Sequence, residues 1–314
     1  MPLSWFRPIP SHLCPTGPDR MTSTPLSVLA PAKVNLFLHV GPVQANGRHP
    51  LDSLVVFAGP EAADRLEAQA ADTLSLTLTG PGGGDVEVDE DNLVLKAARA
   101  LQAEAGVSAG AAFALEKHLP VAAGIGGGSA DAAAALRLLT GLWDIDPSAA
   151  SKVAPGLGGD VPVALVGHAA LMQGEGERVR RAAGLPRVPA LLVNPRLACP
   201  TGPVFRVYDE AGGGAGFQEF GAVPPFERVY DLVHWLARQR NDLQAPAIVL
   251  VPAIGDVLER LANLPGVLLP RMSGSGATCF ALFETDDAAR QAEALLAAER
   301  PDWWVRATSL GDAV

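Results

Sequence analysis

The sequence predicts an α+β fold in two domains. Strand-like and helix-like segments alternate irregularly along the chain, which is the mark of that class. Hydrophobic residues make up 48% and charged residues 18% of 314 positions, enough apolar material for a sizeable core. At roughly 100–200 residues per domain, that length corresponds to two domains.

Residues 1–24 (MPLSWFRPIPSHLCPTGPDRMTST) are broken repeatedly by proline and carry no periodicity and no apolar signal region. They read as a disordered tail; a translation start at Met21, or a transit peptide with only Arg7 and Arg20 as basic residues, are the other readings. Val28 to Val40 reads as extended, interrupted at Pro31. Leu74, Leu76 and Leu78 alternate with Ser75 and Thr77, as in a half-buried strand. Pro81 to Gly84 is a turn. Asn92 to Ala105, rich in Ala and Leu, reads as a helix, and Phe113 and Leu115 mark a short strand before Lys117. A glycine loop follows at 124–128. Ser129 to Trp143 is then strongly helical, with Leu136, Leu139 and Leu142 at helical spacing and Ser129 as a natural N-cap. Ala190 to Val193 reads as a strand. The domain boundary is placed just before it, near Gly184, giving an N-terminal domain over 25–183 and a C-terminal domain over 184–314. Glu210 to Phe226, rich in Gly and Pro, is a surface excursion. Asp231 to Arg238 and Gly255 to Leu264 read as helices. Cys279 to Phe283 is a strand, Asp286 to Arg300 a helix and Trp304 to Leu310 a last strand.

The charge balance narrows the function. Lys and Arg number 24 against 34 Asp and Glu, a formal net charge of −10. Nucleic acid as the main partner needs a basic face, so the balance argues against it. A small phosphorylated ligand needs only a few local donors, so the balance does not argue against one. No run of 18 apolar residues occurs, which argues against a transmembrane helix. Cys14, Cys199 and Cys279 are far apart and odd in number, so neither a disulfide framework nor a zinc site on paired cysteines is expected. A reducing, cytoplasmic compartment fits this usage.

Three glycine-bearing or polar motifs stand out. The first is Pro120-Val121-Ala122-Ala123-Gly124-Ile125-Gly126-Gly127-Gly128-Ser129-Ala130-Asp131. Glycines let a backbone approach an anion and turn its N–H groups inward. The helix that follows adds about half a positive charge and free N–H donors at its start. Ser129 can cap that helix or place its hydroxyl on a metal. The plain alternative is a flexible turn before an ordinary helix. No Gly-Lys-Ser/Thr is present, so this is not a P-loop. The second motif is Ala30-Pro-Ala-Lys33-Val-Asn35-Leu-Phe-Leu, where a strand would place Lys33 and Asn35 on one side. A snorkelling lysine at a sheet edge is its plain reading. The third, Arg271-Met-Ser-Gly274-Ser-Gly276-Ala-Thr, reads alone as a tight loop with close backbone packing.

Together and in this order the motifs resemble the GHMP kinase superfamily, with its Pro-x-Lys-x-Asn segment, central glycine loop and C-terminal Gly-x-Gly-Ala turn. The match is nearest to the branch acting on a cytidyl diphosphate of methylerythritol. Asn46-Gly47-Arg48-His49 is similar to that branch's Asp-Gly-Tyr-His segment, and Gly158-Gly159-Asp160-Val-Pro162 to its Gly-x-Asp-Val-Pro segment. The resemblance runs from about Leu29 to Leu310.

It implies a two-domain kinase fold with the active-site cleft between the domains. It implies transfer of the γ-phosphoryl of ATP to the C2 hydroxyl of the cytidyl substrate, in the non-mevalonate route to isoprenoid precursors. Asp160 would take the hydroxyl proton, with Lys33 beside it favouring the attacking oxygen as negative charge develops. The alternative for Asp160 is a turn carboxylate bonded to its own backbone. The loop from Pro120 to Ala130 would hold the triphosphate, with Ser129 helping to hold Mg²⁺. Asn92 and Lys117 match positions near the adenine and ribose, although Asn92 could simply cap its helix and Lys117 could be solvated. Asn35, His49, Thr201 and Phe205 would face the substrate, with His49 at the cytosine edge. Arg48 stands where the family has a stacking tyrosine, and a guanidinium can take that place. Phe57 to Asp64 is longer than the usual connection. A monomer or homodimer acting on a small molecule is expected. The rival readings are another GHMP kinase, of homoserine, sugar or mevalonate type, or a non-catalytic binder on the same fold.

Overall fold

The structure is a computed structural model and describes residues 25–85, 89–213 and 216–313. The stretch 1–24, with Cys14 and the alternative start at Met21, lies outside the described residues.

The chain opens with β1 (Leu26–Pro31) and β2 (Lys33–Val40). Proline lacks a backbone donor and cannot continue a central ladder. At Pro31 the chain passes from one sheet to another: β1 pairs with β4 (Ala63–Ala71), while β2 pairs with β3 (Leu51–Ala58). A single 3-10 turn at Pro60–Ala62 links β3 to β4, so the long connection at 57–64 is a tight corner between sheets. β5 (Ser75–Thr79) and β6 (Gly110–Glu116) complete a sheet in the order β1-β4-β6-β5. The leucine alternation at 74–78 marks β5, with Leu76 buried.

Two helices, α1 (Leu93–Ala105) and α2 (Gly127–Leu142), pack on that sheet, and α3 (Pro147–Leu157) and α4 (Val161–Val166) pack on those helices in turn. Ala132, Ala133, Ala134 and Ala135 of α2 are fully buried with Leu136. A run of small side chains lets this helix lie close to its neighbours on every side, with Leu66, Phe113 and Leu101 packed in the same core.

The second sheet runs β10-β11-β9-β12-β3-β7-β8, with β2 also on β3. Its further strands are β7 (Ala170–Gly174), β8 (Arg178–Arg181), β9 (Val188–Asn194), β10 (Val267–Met272), β11 (Cys279–Phe283) and β12 (Trp304–Gly311). Residue 184 lies between β8 and β9. Sheet pairing continues across that point, because β12 pairs with β3 through Leu310 opposite Ala58. Helices α5 (Thr201–Glu210), α6 (Val229–Leu236), α7 (Gln244–Leu250), α8 (Ala253–Ala262) and α9 (Asp286–Glu299) complete the chain. Between α5 and α6 no helix or strand occurs among the described residues of the Gly- and Pro-rich excursion. Cys199 and Cys279 are both buried and free, as small core residues.

Two local features position the cleft. The β2–β3 register shifts between Asn35 and Phe37. A bulge strips a carbonyl of its ladder partner and re-aims the side chains beside it. Here the Leu36 carbonyl accepts from Arg271 Nη1 at 2.7 Å, and the same buried guanidinium donates to the carbonyls of Leu236 and Gln239. Burial pushes the Arg271 pKa down to about 10. The second feature is the start of α2. The helix begins at Gly127, with Gly126 as its cap in the left-handed conformation at φ 63°. Ser129 is therefore not the N-cap. It is the third helical residue, because the glycine at 126 takes the cap position three residues earlier.

His39 of β2 carries an energetic consequence. It is buried against the rings of Phe37, Phe217 and Phe220, and neither ring nitrogen has a partner among the described residues. Burial, helped by the nearby Arg240, lowers its pKa from 6.5 to about 4. Below pH 6.5 the unfolded chain takes up a proton that the folded chain refuses until about pH 4. Stability therefore falls as pH drops through that window, by roughly 3 kcal/mol for this group. His39→Phe should remove that share of the acid sensitivity, read from denaturant midpoints between pH 7 and pH 4. Equal acid losses in both proteins would show that His39 does not set it.

Candidate active site

The glycine loop is fixed by main-chain contacts on both flanks. Lys33 N donates to the Ile125 carbonyl at 2.9 Å, and Thr278 N donates to the Ala123 carbonyl at 3.1 Å. Gly124 has φ +71°, and a Cβ there would lie 2.4 Å from the Gly276 carbonyl oxygen. A Cβ on Gly274 would lie 2.7 Å from the Gly124 carbonyl oxygen. No other residue type permits two loops to approach this closely. Ser273 ties all three motifs together: its hydroxyl accepts from Asn35 N at 3.1 Å and donates to the Gly124 carbonyl at 3.3 Å. Most of the loop lines a cleft of about 700 Å³; Ile125 instead points into the core.

Lys33 and Asp160 meet in this cleft. Lys33 Nζ lies 2.9 Å from Asp160 Oδ2 and donates to Asn35 Oδ1 at 2.9 Å. Lys33 is buried, so it is not a snorkelling edge lysine. Asp160 caps α4 by position, yet its side chain makes no capping hydrogen bond. Its carboxylate faces Lys33 instead, which departs from the turn-carboxylate reading. A Cβ on Gly126 would lie 3.4 Å from Lys33 Cε and 3.5 Å from Asp160 Oδ2. The space beside the pair is therefore kept open by a glycine.

Lys117 occupies the other flank of the cleft. It is buried, not solvated. Its ammonium donates to Asp64 and, at 2.7 Å, to Asp131. Asp64 also accepts from the main-chain N–H of His118 and Leu119, at 2.6 and 2.9 Å. Burial alone would lower the lysine's pKa; the two carboxylates outweigh it and hold the pKa above the ordinary value. Burial pushes Asp131 up to about 7 against the pull of Lys117. Asn92 lines the same flank and caps α1 as well, its Oδ1 accepting from Val94 N at 3.0 Å. The capping reading of Asn92 is therefore seen directly, at a position that also lines the cleft.

The opposite wall comes from Thr201 and Phe205 of α5, both lining the cleft. Thr201 Oγ1 lies 2.9 Å from Ser275 Oγ. His49 sits directly behind Phe205, ring centroids 4.9 Å apart, with Nδ1 2.9 Å from the Gly41 carbonyl and Nε2 3.5 Å from Asp209. The structure does not bring Arg48 to the cleft. Its guanidinium is exposed and bonded to Glu175 at 2.9 Å, beside Asn46, which binds the same carboxylate at 2.5 Å. A guanidinium held by that carboxylate is turned away from any base in the cleft.

The partners of several residues at the site carried no sequence signal. Asp64 ends what reads as a long connection, Ser53 ends the segment that begins at Asn46, and Ser273 lies inside the third motif, but nothing local names what each of them holds. Asp131 stood inside the glycine motif, and its role became visible only with Lys117 beside it. Among the described residues no group of three or more His, Cys, Asp or Glu could hold a metal ion. No helix among them is long and apolar enough to cross a membrane.

The geometry offers a loop of backbone donors at a helix start and a lysine–aspartate pair beside it. That arrangement suits phosphoryl transfer to a hydroxyl, where positioning and charge stabilisation do most of the catalysis. Comparison with known proteins agrees. The family models "GHMP kinases N terminal domain" and "GHMP kinases C terminal" match residues 92–168 and 222–300. A 4-diphosphocytidyl-2-C-methyl-D-erythritol kinase of Hyphomonas neptunium is 59% identical over 290 residues, covering 92% of this chain and 97% of the relative. One of the same name from Parvibaculum lavamentivorans is 46% identical over 291 residues, covering 92% and 99%. A crystal structure of 4-(cytidine 5'-diphospho)-2C-methyl-D-erythritol kinase superposes with a TM-score of 0.72 at 35% identity, covering 91% of this chain and 99% of that one. A homoserine kinase from Cytophaga hutchinsonii, 16% identical with a TM-score of 0.62, shares the fold. The chain belongs to the GHMP kinases, in the 4-diphosphocytidyl-2-C-methyl-D-erythritol kinase family.

Proposed function

We propose that this protein transfers the γ-phosphoryl of ATP to the C2 hydroxyl of 4-diphosphocytidyl-2-C-methyl-D-erythritol. The observation that carries the reading is the Lys33–Asp160 pair, 2.9 Å apart in the cleft beside the glycine loop. Asp160 takes the proton of the attacking hydroxyl. The oxygen forms its bond to the γ-phosphorus as the bond to the β-bridging oxygen breaks, and ADP leaves. Lys33 stabilises the negative charge as it develops on the transferring group. The backbone N–H groups at the start of α2 and the loop before it hold the triphosphate. Lys117 and Asn92 flank the nucleoside of ATP, while Asn35, Thr201 and Phe205 form the substrate side, with His49 backing Phe205. Arg48, paired with Glu175, lies outside that wall.

Mg²⁺ fits the donors present. It is held by few protein oxygens together with phosphates and water. Ser129 Oγ offers such an oxygen, and Gly158 leaves room beside it, since a Cβ there would lie 3.9 Å away. Bound there, the ion would neutralise phosphate charge during transfer. We place the two functional halves of the chain on either side of residue 184, with the cleft lined from both.

Three measurements test this reading. ATP turnover with the cytidyl substrate, set against homoserine and mevalonate, should be restricted to the first; equal rates would refute the substrate assignment. Asp160→Asn should lower kcat by about 10²–10⁴ with the KM for ATP within a few fold, because a general base acts in the transition state. Lys33→Ala should lower kcat too, and the double variant should lose less than the sum of the two effects. Full activity in Asp160→Asn would remove Asp160 from the chemistry. Gly126→Ala places a side chain against both catalytic groups at a positive φ that costs about 1–2 kcal/mol. Its kcat should fall at least tenfold while the protein still melts cooperatively, a few degrees lower. An unchanged kcat would show that the pair tolerates crowding.

A further inference from the structure

A chain of directed hydrogen bonds runs from the β2 backbone to the Lys33–Asp160 pair. Ser53 of β3 is fully buried. Its Oγ donates to the Phe37 carbonyl at 2.6 Å. A serine hydroxyl has one proton, and here that proton is committed to a carbonyl, which can only accept. Toward Asn35 the Ser53 oxygen can therefore only accept. Asn35 Nδ2 donates to it at 2.7 Å. The amide nitrogen is thereby fixed on the Ser53 side, and Asn35 Oδ1 is left facing Lys33 Nζ at 2.9 Å. An ammonium has no acceptor. Were the amide turned over, its NH₂ would face the Lys33 NH₃⁺, donor against donor, in a buried site.

The bulge makes this reach possible. The β2–β3 register shifts between Asn35 and Phe37, and the Phe37 carbonyl and the Asn35 amide come to the same hydroxyl. The Asn35 main chain is held separately, by Ser273 Oγ. Ser53 thus acts on the amide side chain, while the strand position is secured elsewhere.

We infer that Ser53 is a positioning residue for the reaction: by donating to Phe37 and accepting from Asn35, it sets the orientation of the Asn35 amide and through it the place of the Lys33 ammonium beside Asp160. Ser53 touches no reacting atom. Its kinetic consequences rest on the phosphoryl-transfer reading, while its geometric consequence does not.

The test has two arms. In the kinetic arm, Ser53→Ala should lower kcat roughly tenfold to a hundredfold, as small misplacements of catalytic groups do, with the KM for ATP within about twofold. Ser53→Thr keeps the hydroxyl and should recover most of that loss. In an Asn35→Asp background both side-chain oxygens accept, so no orientation remains to be set. There Ser53→Ala should cost less than twofold. An equal loss in both backgrounds would mean that Ser53 is merely structural and would overturn the inference, as would an unchanged kcat in Ser53→Ala. Should Ser53→Ala fail to fold, Ser53→Cys, with its weak donor and acceptor, carries the same comparison. The second arm needs no substrate. A crystal structure of the Ser53 variant should show Lys33 Nζ moved beyond 4 Å from Asp160; an undisturbed 2.9 Å contact would refute the inference even if the substrate assignment proved wrong.

Discussion

Lys33 is an ammonium taken out of water, and the cleft is arranged around the cost of placing it there. An isolated buried charge is prohibitively unfavourable; a paired and hydrogen-bonded one is tolerated. Asp160 supplies the opposite charge and Asn35 a neutral acceptor. Each partner is held in turn by a different element: Asp160 at the head of α4, and Asn35 by Ser53 on β3 and Ser273 near the Gly274 turn. A single charged atom thus draws together β2, β3, α4 and the C-terminal turn.

The same logic recurs on the opposite flank. Lys117 is buried between Asp64 and Asp131, and Asp64 also gathers two main-chain N–H groups. The cleft therefore carries two buried lysines, each neutralised by carboxylate. This reconciles an acidic chain with an anionic ligand. Anion binding does not need surplus side-chain cations when backbone donors at the start of α2 and its dipole supply the attraction locally.

Close backbone approach is the other organising feature. Gly124 and Gly274 each occupy a position where a Cβ would strike the opposing main chain, and Gly126, at φ +63°, one where a Cβ would come into van der Waals contact with Lys33 and Asp160. The glycine loop is consequently braced on the C-terminal turn and on β2. Arg271 completes the brace by filling the carbonyl that the β2 bulge strands. Packing sets the place of these glycines: Gly124 and Gly274 touch each other's loop and both line the cleft.

Much of this was readable from residue order. The breaks at Pro31 and at the 81–84 turn, the leucine alternation of β5, the helices α1, α2 and α9, and the strands β11 and β12 all follow from local pattern. Short elements escaped it. α4 is six residues long and carries too few periods to declare itself. Longer ones escaped it too: β3 and β4 flank a tight corner that reads as one long connection, and α5 begins in Thr-Gly-Pro. The start of α2 was misread because capping preference favours Ser129, whereas the left-handed turn at Gly126 starts the helix earlier. The sequence by itself determined which residues to look for together, because Lys33, Asp160 and the glycine loop lie in compact motifs whose residue types announce charge and backbone freedom, and the structure brings them to one cleft. Only the tertiary structure decided who holds them. Asp64 pairs with a lysine 53 residues away, Ser273 with an asparagine 238 away, and Arg48 with Glu175 instead of the cleft. Such partnerships are set by burial and hydrogen-bond satisfaction across strands, and these depend on which segments the fold brings together, not on their neighbours in the chain.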